Sequence, residues 1–262
     1  MAVSSIAIIG SGRVAGALAR SFHRAGLRIS AVISRNEKTA ADLALTVGSI
    51  SGSEYRIPPG TSIVIIAVPD SAIGHVASGL KTDGDTVVVH TSGSTGIDVF
   101  PDGIPGYGVI YPLQTFTEGR ELDMKQIHYF TEASSKDVHS LIDEVTRLLG
   151  PHIHHIDSES RRVLHLSAVF VSNFVNHMLY AGMSIAGEHD IDRMVFGPLI
   201  RETVQKAIEI GPVAAQTGPA IRNDISTIEK HLLMLSFSDD LSNLYRVISD
   251  SIIKQGTESY NV

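Results

Sequence analysis

Short apolar runs alternate with helix-like segments through the first 156 residues of the 262-residue chain. Between the first two runs, Val14, Leu18 and Phe22 recur at the spacing of one helix face. The pattern predicts strands over 6–9, 29–33, 63–68, 86–90, 108–111, 127–131 and 152–156. Strands that alternate with helices are typical of a parallel sheet covered by helices.

The pattern changes after residue 156, where strand-like runs give way to long helical stretches. These stretches cover 158–187, 192–210 and 225–254, and the segment 211–224 interrupts them with glycines and prolines. The sequence therefore predicts two domains, an α/β domain over 1–156 and an all-helical domain over 157–262.

A glycine turn follows the first predicted strand, in "IIGSGRVAGALA". Gly10 permits the tight turn, Gly12 lets the backbone approach a pyrophosphate, and Ala15 lets the helix pack close to the sheet. The helix N-terminus then offers free N–H groups to the phosphates. The pattern predicts a Rossmann dinucleotide-binding domain, with a cofactor site formed by Gly10, Ser11, Gly12, Arg13, Val14 and Ala15.

The end of the second predicted strand indicates which dinucleotide is bound. An acidic residue there would hold a ribose 2′-hydroxyl, whereas a basic residue accommodates a 2′-phosphate. No Asp or Glu occurs from residue 6 to residue 36, and Ser34, Arg35 and Asn36 supply donors instead. We therefore expect NADP(H) as the cofactor, with a solvated loop arginine as the alternative interpretation of Arg35.

Two further loops follow strand ends, where doubly wound sheets bind ligands. Val68 and Pro69 are expected to pack against the cofactor, and Asp70 is interpreted as a helix cap rather than a catalytic acid. In "VVVHTSGSTG", Thr91 and Ser92 suit a loop beside a nicotinamide or a substrate oxygen. An ordinary turn is the alternative for that loop.

The first long helical stretch carries polar residues along one side. On a regular helix the polar residues Arg161, His165, Ser172 and Asn176 share one arc, and Asn173 flanks it. Buried polar groups need partners, because each unsatisfied one costs about 1–3 kcal/mol. Either another segment or a ligand satisfies this arc. His165 and Asn173 are the candidate functional residues, since histidine titrates near neutrality.

Composition excludes several classes of function. The absence of cysteine excludes disulfides, thiolate metal sites and a cysteine nucleophile, and fits a cytoplasmic protein. A net charge of −7 disfavours general nucleic-acid binding. No apolar run is long enough for a membrane anchor, and the apolar start reads as a strand rather than a signal peptide. His152 and His154 share a strand face without an evident carboxylate, so we predict no metal site.

Six segments together resemble the Rossmann-like NADP oxidoreductases that carry a C-terminal helical domain of unknown function. The segments are "IIGSGRVAGALA", "AVPDSAI", "VVHTSGSTG", "YPLQTF", "HLSAVFVSNFVNHM" and "GPAIRND". The family looks distantly similar to pyrroline-5-carboxylate reductases, ketopantoate reductases, β-hydroxyacid dehydrogenases and deazaflavin-dependent NADP reductases. The resemblance implies a helical domain like the C-terminal one of 6-phosphogluconate dehydrogenase, a homodimer, and a substrate held against the nicotinamide in a cleft between the domains.

The resemblance also implies roles for individual residues. Ser92 and Gly93 match the loop near the nicotinamide. Tyr111 stands where the family usually has histidine, leaving Gln114 and Thr115 as polar groups of that segment. His165 and Asn173 are similar in position to the lysine and asparagine of β-hydroxyacid dehydrogenases, although no lysine is present.

These observations predict an NADP(H)-dependent oxidoreductase that moves a hydride to or from a small C=O or C=N compound. His165 would act as general acid or base, and Asn173, Ser92 and Gln114 would orient the substrate. The alternatives are a non-catalytic NADP sensor that acts through its helical domain and, less favoured, a coenzyme shuttle between NADP and a deazaflavin. The apolar helices over 158–187 and 225–254 predict a homodimer.

Overall fold

The computed structural model describes residues 3–259. The chain forms two compact units, which divide between Phe174 and Val175. These units differ from the predicted limits of 1–156 and 157–262, because the helix that follows residue 157 is hydrogen-bonded to the first unit.

The first unit contains an eight-stranded sheet in the order β3-β2-β1-β4-β5-β6-β7-β8. The strands are β1 (Ser5–Ile9), β2 (Arg28–Ile33), β3 (Ile50–Gly52), β4 (Ile63–Ile66), β5 (Val87–His90), β6 (Gly106–Pro112), β7 (Tyr129–Ala133) and β8 (Ile153–His155). Strands β1 to β6 are parallel in the order 3-2-1-4-5-6, which is the doubly wound order of dinucleotide-binding folds. The predicted fold class is confirmed.

Helices cover both faces of this sheet because the strands are apolar on both faces. Ile6 and Ile8 of β1 contribute to the core on one face, and Ala7 and Ile9 contribute to the core on the other. The helices of this unit are α1 (Arg13–Arg24), α2 (Glu37–Thr46), α3 (Ile73–Gly79), α4 (Lys136–Arg147) and α5 (Ser158–Ala168).

The second unit is helical, as predicted. Its helices are α6 (Val175–Gly187), α7 (Gly197–Ile210), α8 (Pro212–Ala215), α9 (Ile225–Met234) and α10 (Asp239–Ser259). Gly211, at a φ of 84°, ends α7 at the predicted interruption. Among residues 3–259, no helix is both long and apolar enough to cross a membrane.

Four details of the predicted pattern are wrong. The edge strand β3 was not predicted, and β7 runs antiparallel to β6, so the sheet is mixed. The stretch 158–187 is not one α-helix, because a π-helical turn over Val169–Phe174 separates α5 from α6. The stretch 225–254 is likewise broken, since α9 ends at Met234 and α10 begins at Asp239.

Candidate active site

A cleft of about 580 Å³ lies at the carboxyl ends of the parallel strands. The loops that follow β1, β2, β4, β5 and β6 line it, together with one side chain of α5. Of the predicted site residues, the cleft is lined by Gly10, Ser11, Gly12, Arg13, Val14, Ser34, Arg35, Val68, Pro69, Thr91, Ser92, Gln114 and His165. The sheet therefore brings most of the predicted cofactor and catalytic residues to one place.

The glycine turn is built as the sequence indicates. Gly10 has a φ of +118°, and a Cβ there would lie 2.2 Å from the carbonyl oxygen of Ala67. A Cβ on Gly12 would instead meet no protein atom within 4 Å. Gly10 is therefore required by the fold, whereas Gly12 leaves open space above the start of α1. Ala15 is fully buried beneath the turn and does not line the cleft.

Hydroxyl groups and one arginine surround the end of β2. The Ser11 hydroxyl lies 2.9 Å from that of Ser34 and 2.6 Å from that of Thr39. Arg35 is exposed at the rim of the cleft and takes part in none of the ion pairs formed by residues 3–259. Asn36 caps α2 by accepting from the Thr39 N–H, and it lies outside the main cleft.

The loop after β5 is held by its own hydrogen bonds. The Ser92 hydroxyl accepts from the N–H groups of Ser94 and Thr95 and donates to the Thr95 hydroxyl. Ser92 thus lines the cleft, but its hydroxyl is hydrogen-bonded within its own loop. The interpretation of Asp70 as a helix cap is wrong, because its carboxylate accepts instead from the hydroxyl of Ser94.

His90 is fully buried under this loop, where it stacks on Phe100 with ring centroids 5.5 Å apart. The N–H of Ser92 donates to its Nδ1 at 3.1 Å. Burial, followed by the positive charge of Arg161, lowers the pKa of His90 to about 4. His90 is therefore a neutral structural group below the cleft rather than a proton donor within it.

Tyr111 and His165 form a hydrogen-bonded pair in the cleft. The Tyr111 hydroxyl lies 3.1 Å from Nδ1 of His165, and the rings meet edge to face. Burial, with a smaller contribution from the Asp70 carboxylate, raises the pKa of Tyr111. The phenol is thus protonated at neutral pH. A Cβ on Gly93 would lie 2.7 Å from both side chains, so the contact needs glycine in the loop beside it.

Two arginines fasten α5 to the sheet and to the loop after β5. Arg161 is fully buried, pairs with Glu132 of β7, and donates to the Thr95 carbonyl at 2.5 Å. The half-exposed Arg162 donates to the Ser94 carbonyl at 3.2 Å. Because His165 lies one helical turn beyond Arg161, this attachment aims its ring at Tyr111.

Of the two remaining predicted catalytic residues, one lines the cleft and the other does not. Gln114 is exposed at the cleft, and its Oε1 accepts from the Thr115 N–H. Asn173 is exposed on the π-helical turn and does not line the cleft. The predicted polar arc ends at this turn, because a π-helical segment changes the rotation per residue on which the arc depends.

The sequence places Arg161 in the polar arc but does not indicate the partner that holds it. Glu132 lies 29 positions from Arg161, and no local pattern joins them. Asp70 was noticed but interpreted as a cap, and its hydrogen bond to Ser94 requires two neighbouring strand ends to meet. The predicted parallel order of the strands could have indicated this contact, because it brings the loops after β4 and β5 together.

Comparison with protein families agrees with this fold. Residues 5–93 match the model described as "NADP oxidoreductase coenzyme F420-dependent", and residues 127–252 match a domain of unknown function, DUF2520. No curated protein sequence matches the chain.

Among solved structures, a protein of Bacteroides fragilis described as a "putative NADP oxidoreductase" is 36% identical, with a TM-score of 0.89 over 96% of this chain and 98% of that one. A reductive aminase of Aspergillus terreus, solved with NADPH and ethyl-5-oxohexanoate, is 12% identical, with a TM-score of 0.74 over 97% and 95%. An imine reductase of Myxococcus stipitatus, solved with NADP+, is 16% identical, with a TM-score of 0.67 over 98% and 94%. The last two share the fold.

The glycine turn and the doubly wound sheet define a dinucleotide-binding oxidoreductase fold. More specifically, the chain belongs to the family of the Bacteroides protein, NADP oxidoreductases in which a dinucleotide-binding domain precedes a DUF2520 domain. The resemblance noted from the sequence is confirmed, and NADP(H) is confirmed as the cofactor of the family.

Replacement of Arg161 by methionine tests the attachment of α5. Arg161→Met leaves the largely buried carboxylate of Glu132 without its opposite charge, although Ser158 still donates to it, so we expect a loss of about 3–5 kcal/mol in the free energy of unfolding. Arg162→Met removes a half-exposed group and should cost only about 0–1 kcal/mol. Urea unfolding of both variants measures the difference. Equal losses in the two variants would contradict the assignment of Arg161 as the main anchor.

Proposed function

We propose that this protein is an NADP(H)-dependent oxidoreductase that moves a hydride to or from a small C=O or C=N compound. The observation that carries the proposal is the Tyr111–His165 hydrogen bond, which lies in the same cleft as the dinucleotide turn. A reduction of this kind needs one hydride and one proton. Bound cofactor supplies the hydride, and the protein must supply the proton.

The residues of the cleft fit NADP(H). Gly12 has open space where the backbone must approach a pyrophosphate, and the N-terminus of α1 begins there. The adjacent hydroxyls of Ser11 and Ser34 can donate to a 2′-phosphate, and the exposed guanidinium of Arg35 can pair with it. Val68 is half-buried and Pro69 is exposed on the cleft wall, and both side chains can make apolar contact with the cofactor.

Tyr111 and His165 would supply the proton. The phenol of Tyr111 retains its proton at neutral pH because its pKa is raised, and it can donate that proton to a substrate oxygen or nitrogen as the hydride arrives. With its proton on Nδ1, His165 can pass that proton to the phenolate while Nε2 takes one from solvent, so the imidazole ends the step neutral. In the oxidative direction the same transfers run in reverse.

Substrate orientation rests on fewer groups than the sequence suggested. The side-chain amide N–H of Gln114 can hold a substrate oxygen, since its Oε1 is bonded to the backbone. Ser92 would act through the shape of its loop. A role for Asn173, and a substrate position between the two domains, stay predictions from the sequence.

The solved structures with related folds bear on the substrate class. The Aspergillus protein is a reductive aminase and the Myxococcus protein is an imine reductase, and enzymes of these two kinds reduce C=N bonds. A tyrosine donor can protonate either an imine nitrogen or a carbonyl oxygen. We therefore propose small imines and ketones as the compounds to test first.

We further propose that the protein is a homodimer and that it works in the cytoplasm. Large apolar side chains of the second unit are exposed, among them Met194, Leu199, Ile208, Leu233, Met234 and Val247. A second copy of the chain would cover such surface in an isologous interface. The cytoplasmic location rests on the absence of cysteine.

Replacement of Arg35 by serine tests the dinucleotide. The loss of a charged hydrogen bond worth about 1.5–3 kcal/mol should weaken NADPH binding roughly 10- to 150-fold and leave NADH binding nearly unchanged. Arg28→Ser, at the opposite end of β2, is the matched control. Fluorescence titration with both dinucleotides measures the effect. Equal weakening of both, or of neither, would argue against a 2′-phosphate at Arg35.

Variants of the tyrosine–histidine pair test the chemistry. Tyr111→Phe and His165→Ala should each lower kcat about 10²- to 10⁴-fold, the size of a general acid–base contribution, while the Kd for NADPH stays near that of the unaltered protein. Tyr107→Phe on the same strand is the control. NADPH oxidation is followed across a panel of ketones, keto acids and imines. Tight NADPH binding without turnover on any of them would favour the sensor function instead.

Sedimentation tests the assembly. Because the exposed apolar surface is large, we expect a dimer at micromolar concentration, and Ile208→Glu together with Leu233→Glu should shift it toward monomer. A monomer in the unaltered protein would overturn the dimer proposal without affecting the cofactor site.

A further inference from the structure

The edge of the sheet opposite β3 carries histidines on both faces. Thr131 of β7 is paired in register with His155 of β8, and Phe130 is paired with His154. Alternation along a strand therefore places Thr131 and His155 on one face and Phe130 and His154 on the other. Helix α4 packs on the face of Thr131, whose side chain is fully buried.

Three potential metal ligands meet on the face covered by α4. His139 and Asp143 are four residues apart on α4, so their side chains lie on one side of the helix. Nε2 of His155 lies 2.9 Å from Oδ2 of Asp143, and the rings of His139 and His155 have centroids 3.8 Å apart. One ligand atom from each of the three residues lies within 4.8 Å of the other two.

The carboxylate of Asp143 lacks full compensation. The residue is only 8% exposed, and its Oδ1 is buried without a hydrogen-bond partner in residues 3–259. Arg147 reaches no closer than 3.7 Å to Oδ2, and its side chain is 65% exposed. A buried carboxylate oxygen without a partner is costly, and a cation beside it would remove that cost.

A supporting contact orients one of the histidines. The Thr131 hydroxyl lies 3.3 Å from Nε2 of His139. Histidines that bind metals usually have their second ring nitrogen held in this way, which fixes the direction of the first. The Thr131 hydroxyl thus provides the second contact that such a ligand requires.

We propose that His139, Asp143 and His155 bind one divalent transition-metal ion, such as Zn²⁺, with solvent completing its coordination. Imidazole and carboxylate ligands suit this class of ion better than Mg²⁺ or Ca²⁺. The ion ties α4 to the edge strand β8, which leads directly into α5. The site lies outside the cofactor cleft and does not depend on the proposed function.

The histidines of the other face form a matched comparison. The ring of His128 stacks on those of both His152 and His154, and Nδ1 of His128 lies 2.8 Å from Nε2 of His154. Among residues 3–259, these three histidines do not form a potential metal-binding cluster with a carboxylate. The prediction of no metal site rested only on His152 and His154, whereas the neighbouring His155 belongs to the opposite face of the strand.

Calorimetric titration with Zn²⁺, on chelator-treated protein without a histidine tag, tests the proposal. The unaltered protein should bind one Zn²⁺ per chain with a raised Tm. His139→Gln and Asp143→Asn should each weaken binding at least about tenfold, as loss of a ligand or of its support does. His154→Gln, on the opposite face, should leave the Kd unchanged. Absorption of bound Co²⁺ reports whether the ligands include histidine nitrogen.

Two results would overturn the site. One is the absence of saturable binding by the unaltered protein. The other is weakening by His154→Gln as large as that by His139→Gln, since this would place the ion among the stacked histidines. If Asp143→Asn fails to fold, the half-buried His139 and the exposed His155 still provide variants that decide the question.

Discussion

The buried pairing of Arg161 with Glu132 is the contact on which the site depends. Two opposite charges taken out of water are tolerated only when each is paired and hydrogen-bonded, and here the guanidinium also holds the Thr95 carbonyl. One side chain therefore joins the helix that carries His165, the strand β7 and the loop beside the cleft. The positions of these three elements cannot change independently.

This joining fixes the position of the loop beside the cleft, where the proposed proton transfer would need precise geometry. The loop after β5 is fixed by the hydroxyl of Ser92 from within and by Arg161 and Arg162 from outside. The buried, neutral His90 supports it from below. Tyr111 and His165 meet across this loop, so their hydrogen bond is set by the scaffold rather than by a bound ligand.

Local patterns in the sequence predicted the strands, the helices and the glycine turn. The contacts that the sequence did not predict join residues that are far apart along the chain. The glycine turn and the apolar strands depend on short-range sterics and alternation, which can be read from a few residues. The pairing of Arg161 with Glu132 and the approach of His155 to Asp143 depend on which elements become neighbours. The position and antiparallel direction of β7 determine both of these contacts. No residue near β7 predicts that direction. The π-helical turn likewise moved Asn173 out of a pattern that assumed regular helix rotation.

The close approach of Tyr111 and His165 to Gly93 restricts which residue this position can hold. With a methyl group at this position 2.7 Å from both aromatic partners, even alanine would force them apart. Any larger residue at this position would have to break the pair or displace the helix that carries His165. The hydrogen bond between Tyr111 and His165 is thus conditional on a third position in the chain, one that takes no part in the bond itself.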